Sequence, residues 1–260
     1  IIKAKKSRNH SELLFKHLGI PIKIINTKKY DLIKIDGKKK IKSFNYKIPS
    51  DISSAAFFIV LTALSKNSKL KIKNVNINPS RTGILKILKI MGVKILLKKI
   101  KKYKGEKTAD IYIGSSDSIK SIKCPSNLNS ASIDEFLLIF LVAAKANGVS
   151  VFKELGEMNK KESKRLDLGI KFLKKIGIKV YRFKNDIKIY GNPNLELSKN
   201  YEMKNFLKDH RVFFLSCIAA LTLGGKWKIN DKDSINTSFP EFLKTLKNLG
   251  AQINWKKEKI

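Results

Sequence analysis

The chain has 260 residues, of which 43% are apolar and 29% charged, enough for a buried core of one large or two small domains. Its longest apolar runs, residues 57–64, 136–144 and 212–223, are too short for a membrane-spanning helix. The formal net charge of +34 suggests a polyanion partner, but only five of the 55 basic residues are Arg, and the Lys are spread without aromatic interleaving or an RNA-binding signature.

That composition reads as Lys coating the solvent faces, with no nucleic-acid partner and no membrane partner expected. Arg8, Arg81, Arg165, Arg182 and Arg211 stand out against it, because a guanidinium fork is needed where carboxylate or phosphate is gripped bidentately. Cys124 and Cys217 lie far apart and the three His are scattered, so metal-ligand spacing is absent and reduced thiols in a cytoplasmic protein are expected. The chain opens on Ile1 in what reads as the middle of an element, with no signal or transit pattern, and is expected to be a fragment whose N-terminus lies upstream.

In chain order, a helix closed by Gly and followed by a strand is predicted four times, over residues 13–24, 84–97, 170–181 and 241–255. The closing glycines Gly19, Gly92, Gly177 and Gly250 suit the left-handed position just past a helix. A second helix precedes each of the last three, over 53–65, 134–146 and 210–223, and short strands follow at 70–75, 149–155 and 226–230. A hairpin pairs 178–183 with 186–190. Each unit thus reads βαβαββ, and three units run from about residue 49, the last without its hairpin. Residues 1–48 are expected to be the tail of a preceding N-terminal domain, and 49–260 one α/β domain with the loops of its repeats gathered at one end.

Those loops carry the chemistry. Residues 157–166, Glu-Met-Asn-Lys-Lys-Glu-Ser-Lys-Arg-Leu, join a strand to a helix, so Lys161 and Arg165 add full charge to a helix start that already favours anions. A solvated helix start in a Lys-rich chain is the plain alternative for such a cluster taken alone. Asp51, Asn78 and Ser238 read as helix caps, Ser238 with Glu241 at capping-box spacing and Pro79 in a first turn. Asp134 and Asp209 also open helices, but with Arg, Lys and Glu available from neighbouring repeats.

Seven motifs in order carry a resemblance: Ser7-Arg8-Asn9-His10-Ser11-Glu12, Pro49-Ser50-Asp51-Ile52-Ser53-Ser54-Ala55-Ala56-Phe57, Asn78-Pro79-Ser80-Arg81-Thr82-Gly83, Ile133-Asp134-Glu135-Phe136, Lys161-Glu162-Ser163-Lys164-Arg165, Asp209-His210-Arg211 and Thr237-Ser238-Phe239-Pro240. The whole chain resembles the C-terminal half of the 5-enolpyruvylshikimate-3-phosphate synthase family. The resemblance implies an inside-out α/β barrel of βαβαββ units, and transfer of the enolpyruvyl group of phosphoenolpyruvate to the 5-hydroxyl of shikimate 3-phosphate with release of phosphate. It implies no cofactor and no metal.

By the same resemblance, Asp134 contacts the shikimate hydroxyls and takes the proton, and Glu162 protonates the phosphoenolpyruvate methylene. Arg165 and Arg211, with His210 beside them, bind phosphoenolpyruvate. Ser7, Arg8 and Lys161 bind shikimate 3-phosphate together with Asp134. The partner implied is the missing N-terminal half, the complete enzyme being a monomer, and this chain alone is expected not to turn over. The chain departs from the family at Ser50, where Gly is usual, Leu137 (Pro), Asn159 (Arg), Lys164 (Asp), and Val212 and Phe213 (smaller residues). Competing readings are the UDP-N-acetylglucosamine enolpyruvyl transferase, an inactive relic, and a basic nucleic-acid-binding module.

Overall fold

A computed structural model describes residues 1–5, 7–37 and 40–254, and all four closing glycines adopt positive φ there, from +68° at Gly19 to +96° at Gly250. Each ends a helix where an L side chain would be strained. The strand expected after Gly250 does not form over residues 251–254, and Trp255, its predicted end, lies outside the described residues.

The first stretch contains β1 (Ile2–Lys5), α1 (His10–His17), β2 (Ile22–Asn26) and β3 (Tyr30–Ile35), with the strands ordered β1-β3-β2 and antiparallel. Next come α2 (Ile52–Leu64), β4 (Lys69–Asn76), α3 (Gly83–Ile90), β5 (Ile95–Tyr103) and β6 (Glu106–Gly114), the strands forming an antiparallel β4-β6-β5 sheet. The second repeat holds α4 (Asn129–Ser132), α5 (Phe136–Ala144), β7 (Val149–Phe152), α6 (Arg165–Lys175), β8 (Val180–Phe183) and β9 (Asp186–Tyr190), ordered β7-β9-β8. The third holds β10 (Leu197–Met203), α7 (His210–Leu223), β11 (Gly224–Ile229) and α8 (Phe242–Asn248), with β10 and β11 parallel.

The predicted leading strand of a unit is fully formed only in the third repeat. In the other two it shrinks to parallel bridges, Ser50 with Val75 in the first, and Lys120 with Asn147 and Lys123 with Val151 in the second. The βαβ geometry survives because a few backbone bonds suffice to place the chain beside its partner strand before it enters the helix.

The helices α2, α5 and α7 are apolar almost all round, as helices enclosed by their neighbours must be. Every residue of α5 is buried. Around α2 and α7, Phe57 meets Phe214 at 4.7 Å between ring centroids, and Phe214 meets Phe242 of α8 at 4.4 Å. Each such side chain contributes about 1.5–3 kcal/mol by leaving water. One continuous core runs from Ile52 to Leu246, whereas Ile33 is the only buried hydrophobic residue before Ile52 among the described residues.

Several predicted boundaries shift for local reasons. The strand expected over 149–155 stops at Phe152, because Glu154 turns left-handed (φ +60°) and the 3₁₀ turn Leu155–Lys160 follows. The helix expected from residue 134 starts at Phe136, after a turn in which the Glu135 N–H donates to the Ser132 carbonyl. Ser238 and Glu241 form no capping box: Phe239 packs on Phe58, Phe214 and Phe242, and α8 begins at Phe242 without a side-chain cap. Asn78 and Pro79 do not open α3 either. The Asn78 side chain accepts from the Ser80 N–H, and its carbonyl from the Arg81 N–H, closing a turn ahead of the helix.

Candidate active site

The three buried helices point their N-termini at one place. Ser53 in the first turn of α2 donates to Glu135 Oε1 ahead of α5 at 2.5 Å, and Arg211 at the start of α7 stands 3.6 Å from the same oxygen. Unpaired N–H groups at three helix starts favour negative charge there. The adjacent loops bring full cations to the same point.

Asp134 is their focus. Arg8 pairs with Oδ2, while Lys161 Nζ and Arg165 Nη1 each lie 3.2 Å from Oδ1. Burial alone would raise this carboxyl, but Arg211, Arg8 and Lys161 outweigh it and hold the group well below the usual carboxylate range. Asp134 is therefore ionised and compensated by residues far apart in sequence. Arg8 reaches it because the segment leading into α1 is tied to the first repeat, where Asn78 Nδ2 donates to Asn9 Oδ1 at 2.9 Å and His10 Nδ1 meets Glu106 Oε1 at 2.5 Å.

Arg165 is 2% exposed and opens α6. Its Nε donates to Asp209 Oδ2 at 2.9 Å, and Ser163 Oγ donates to the same oxygen at 2.6 Å. The other Asp209 oxygen accepts the Arg211 N–H at 2.9 Å, so Asp209 is a helix cap and a guanidinium anchor at once. Burial opposes its ionisation, yet Arg165 holds its carboxyl below the usual range. Glu162 pairs with Arg165 Nη2 from an otherwise exposed position.

Arg211 contributes a mostly buried guanidinium whose Nε and Nη1 make no hydrogen bond among the described residues. His210 packs edge-on to Phe214, and burial, reinforced by Arg211, lowers its pKa, so the ring is neutral at pH 7. Ser7 is exposed in the loop before α1, and no hydrogen bond among the described residues ties its hydroxyl to the cluster. Of the residues singled out from sequence, Arg8, Asp134, Lys161, Glu162, Arg165 and Arg211 come together, His210 adjoins them through α7, and Ser7 stands aside.

Sequence reasoning missed Ser53, Glu135 and Ser163 as members of this network. Glu135 had a signal, being the last ionisable residue before a wholly apolar helix. Arg81 is explained by its neighbours: Nη2 donates to Ser53 Oγ at 2.5 Å and to Asp51 Oδ1 at 3.0 Å, while the Asp51 side chain also caps α2 as expected. Arg81 and Asp51 also line a cleft of about 330 Å³ with His10, Tyr46 and Glu106.

Two departures from the family pattern gain a physical reading. Asn159 Oδ1 accepts the Leu166 N–H at 3.0 Å, capping α6, and its Nδ2 donates to Asp167 Oδ1 at 3.2 Å. The cation beside Asp167 is Arg182, from β8. Lys164 is exposed at the cap position of α6, where it adds positive charge to a helix start that already carries it.

The sequence profile of EPSP synthase (3-phosphoshikimate 1-carboxyvinyltransferase) matches residues 2–246. A 3-phosphoshikimate 1-carboxyvinyltransferase from Thermodesulfovibrio yellowstonii is 36% identical over 244 residues, covering 94% of this chain and 55% of the relative. One from Thermoanaerobacter sp. is 38% identical over 241 residues, covering 92% and 54%. The solved EPSP synthase from Acinetobacter baumannii superposes with a TM-score of 0.85 at 30% identity, over 97% of this chain and 56% of that one. The enolpyruvyl transferase NikO from Streptomyces tendae shares the fold at a TM-score of 0.66 and 15% identity, over 92% and 52%. The chain spans about half the length of the relatives it matches.

Proposed function

Given that the chain belongs to the EPSP synthase family, we propose that it supplies about half of a site that transfers the enolpyruvyl group of phosphoenolpyruvate to the 5-hydroxyl of shikimate 3-phosphate, releasing phosphate. The observation that carries this reading is the convergence of Arg8, Lys161, Arg165 and Arg211 around the ionised Asp134. Two phosphates and a carboxylate need such a set of cations, and the sugar-like hydroxyl needs a base among them.

The substrates compete with Asp134 for its cations. A phosphate drawn to Arg8 and Lys161, and phosphoenolpyruvate drawn to Arg165 and Arg211, weaken the field that holds the Asp134 carboxyl down. Its basicity rises when the hydroxyl arrives, and it accepts the hydroxyl proton as the oxygen attacks C2 of phosphoenolpyruvate. Glu162, displaced from Arg165 by the incoming anion, takes up a proton from solvent and gives it to the methylene carbon. The C–O bond to phosphate then breaks, phosphate leaves, and the methyl group returns a proton to the Glu162 carboxylate, regenerating the enol ether. Neutral His210 acts here as a hydrogen-bonding neighbour of the phosphoenolpyruvate clamp.

The wider assignment is part of the same proposal. Residues 1–48 belong to an N-terminal domain and 49–260 to a C-terminal one, a division supported by the continuous core that begins at Ile52. The chain works in the cytoplasm with the rest of its enzyme, as a monomer when complete, without nucleic acid or membrane. The experiment is phosphate release from phosphoenolpyruvate and shikimate 3-phosphate, with the chain joined to the portion of the Thermodesulfovibrio relative that it does not cover. Turnover abolished by Asp134→Ala supports the proposal. A folded chimera without turnover, or turnover indifferent to that substitution, refutes it.

A further inference from the structure

We propose that Glu135 is the positioning residue that aims the guanidinium fork of Arg211, and that Ser53 and Arg81 hold Glu135 in place from the neighbouring repeat. The inference rests on the reading of Arg211 as a phosphoenolpyruvate ligand. Glu135 is 2% exposed, and burying a carboxylate is strongly unfavourable unless charge and hydrogen bonds compensate it. Compensation is partial and comes from two sides: the Ser53 hydroxyl donates to Oε1 at 2.5 Å, and Arg211 Nη1 lies 3.6 Å from the same oxygen, while burial still holds the carboxyl pKa above its usual value. Ser53 is fixed in turn, accepting from Arg81 Nη2 at 2.5 Å, and Arg81 is held by Asp51 at 3.0 Å.

A carboxylate this close to an anion site weakens anion binding by its field. Its place is explained by geometry. At 3.6 Å it attracts the fork without a close hydrogen bond, and Arg211 Nε and Nη1 keep their donor capacity. Asp209 already fixes the Arg211 main chain through its N–H, so the direction of the side chain is set by Glu135. A fixed fork matters most for a ligand that must engage Arg165 and Arg211 together, as phosphoenolpyruvate does with its two anionic ends. It matters little for inorganic phosphate, which a loosely held cation still attracts.

The test uses the chain as it stands. Five arginines give five Nε–Hε signals by NMR, and Arg211→Lys identifies one of them. Glu135→Gln is expected to broaden the Arg211 signal and to cut the affinity ratio of phosphoenolpyruvate over inorganic phosphate by about tenfold, measured calorimetrically at fixed ionic strength. Glu135→Asp recovers part of that ratio, and Ser53→Ala reproduces a smaller part of the loss. An unchanged Arg211 signal in Glu135→Gln overturns the inference, as does equal strengthening of both anions, which would mean that Glu135 acts through its field alone. A wild-type chain that keeps its preference for phosphoenolpyruvate in Arg211→Ala refutes the functional reading instead. The NMR comparison still decides whether Glu135 aims the fork.

Discussion

Arg165 Nε donates to Asp209 Oδ2 at 2.9 Å with both side chains withdrawn from solvent, joining the start of α6 to the start of α7 across two repeats. Breaking a buried pair of this kind leaves an uncompensated charge and costs about 3–5 kcal/mol. Asp209→Ala should lose that much stability in denaturant titrations, and more than Asp209→Asn, which keeps the cap on α7. Equal, small losses for the two would show that the pair contributes little.

Acid should expose the same group. Because folding lowers the carboxyl pKa of Asp209, its stabilisation is present above the ordinary carboxylate value of about 4 and is lost as pH falls from there toward the depressed folded value. The stability difference between wild type and Asp209→Asn should therefore shrink between about pH 5 and about pH 3, on either side of that value. A difference that stays constant over that interval contradicts the assignment.

Asp134→Asn separates charge from chemistry. Removing the carboxylate should slow phosphate release in the completed enzyme by about 10²–10⁴-fold, the range for loss of a general base. Inorganic phosphate should bind more tightly, because Arg8, Lys161 and Arg165 lose their internal partner. Tighter binding with unimpaired turnover would remove Asp134 from the proton transfer.

Gly83 tests how the Asp134 loop is supported. A Cβ there would lie 2.1 Å from Ser132 Oγ and 2.9 Å from the Ala131 carbonyl, both just ahead of Asp134. The side chain could move, but the backbone is held by α4 packing on α3, so Gly83→Ala should cost about 1–3 kcal/mol. It should also weaken shikimate 3-phosphate binding. A variant with wild-type melting and affinity would show that the loop has room to shift.

Asn159 and Arg182 should differ in weight. Losing the Asn159 cap on the Leu166 N–H costs about 1 kcal/mol. Arg182→Ala breaks a pair more than a third exposed on the Arg side, worth about 0–1 kcal/mol. Thermal melts that reverse this order would make Arg182, rather than the cap, the chief support of the α6 start.

The amino-acid sequence by itself determined the repeat, because helix-ending glycines and apolar periodicity are local properties. Gly19, Gly92, Gly177 and Gly250 all took the backbone conformation their spacing required. It also placed Arg165 at a helix start, and Asp51 as a cap.

The tertiary structure decided which local preference prevailed where two competed. Phe239 packed against Phe58 and Phe214, and the Ser238–Glu241 box did not form. The Asp134 carboxylate went to Arg8, Lys161 and Arg165 instead of capping α5. Nothing local to residue 135 announces that its carboxylate lies between Ser53 and Arg211, since one lies 82 residues upstream and the other belongs to the next repeat. Such pairings follow from three buried helices starting at one place, and long-range packing of their apolar faces put them there.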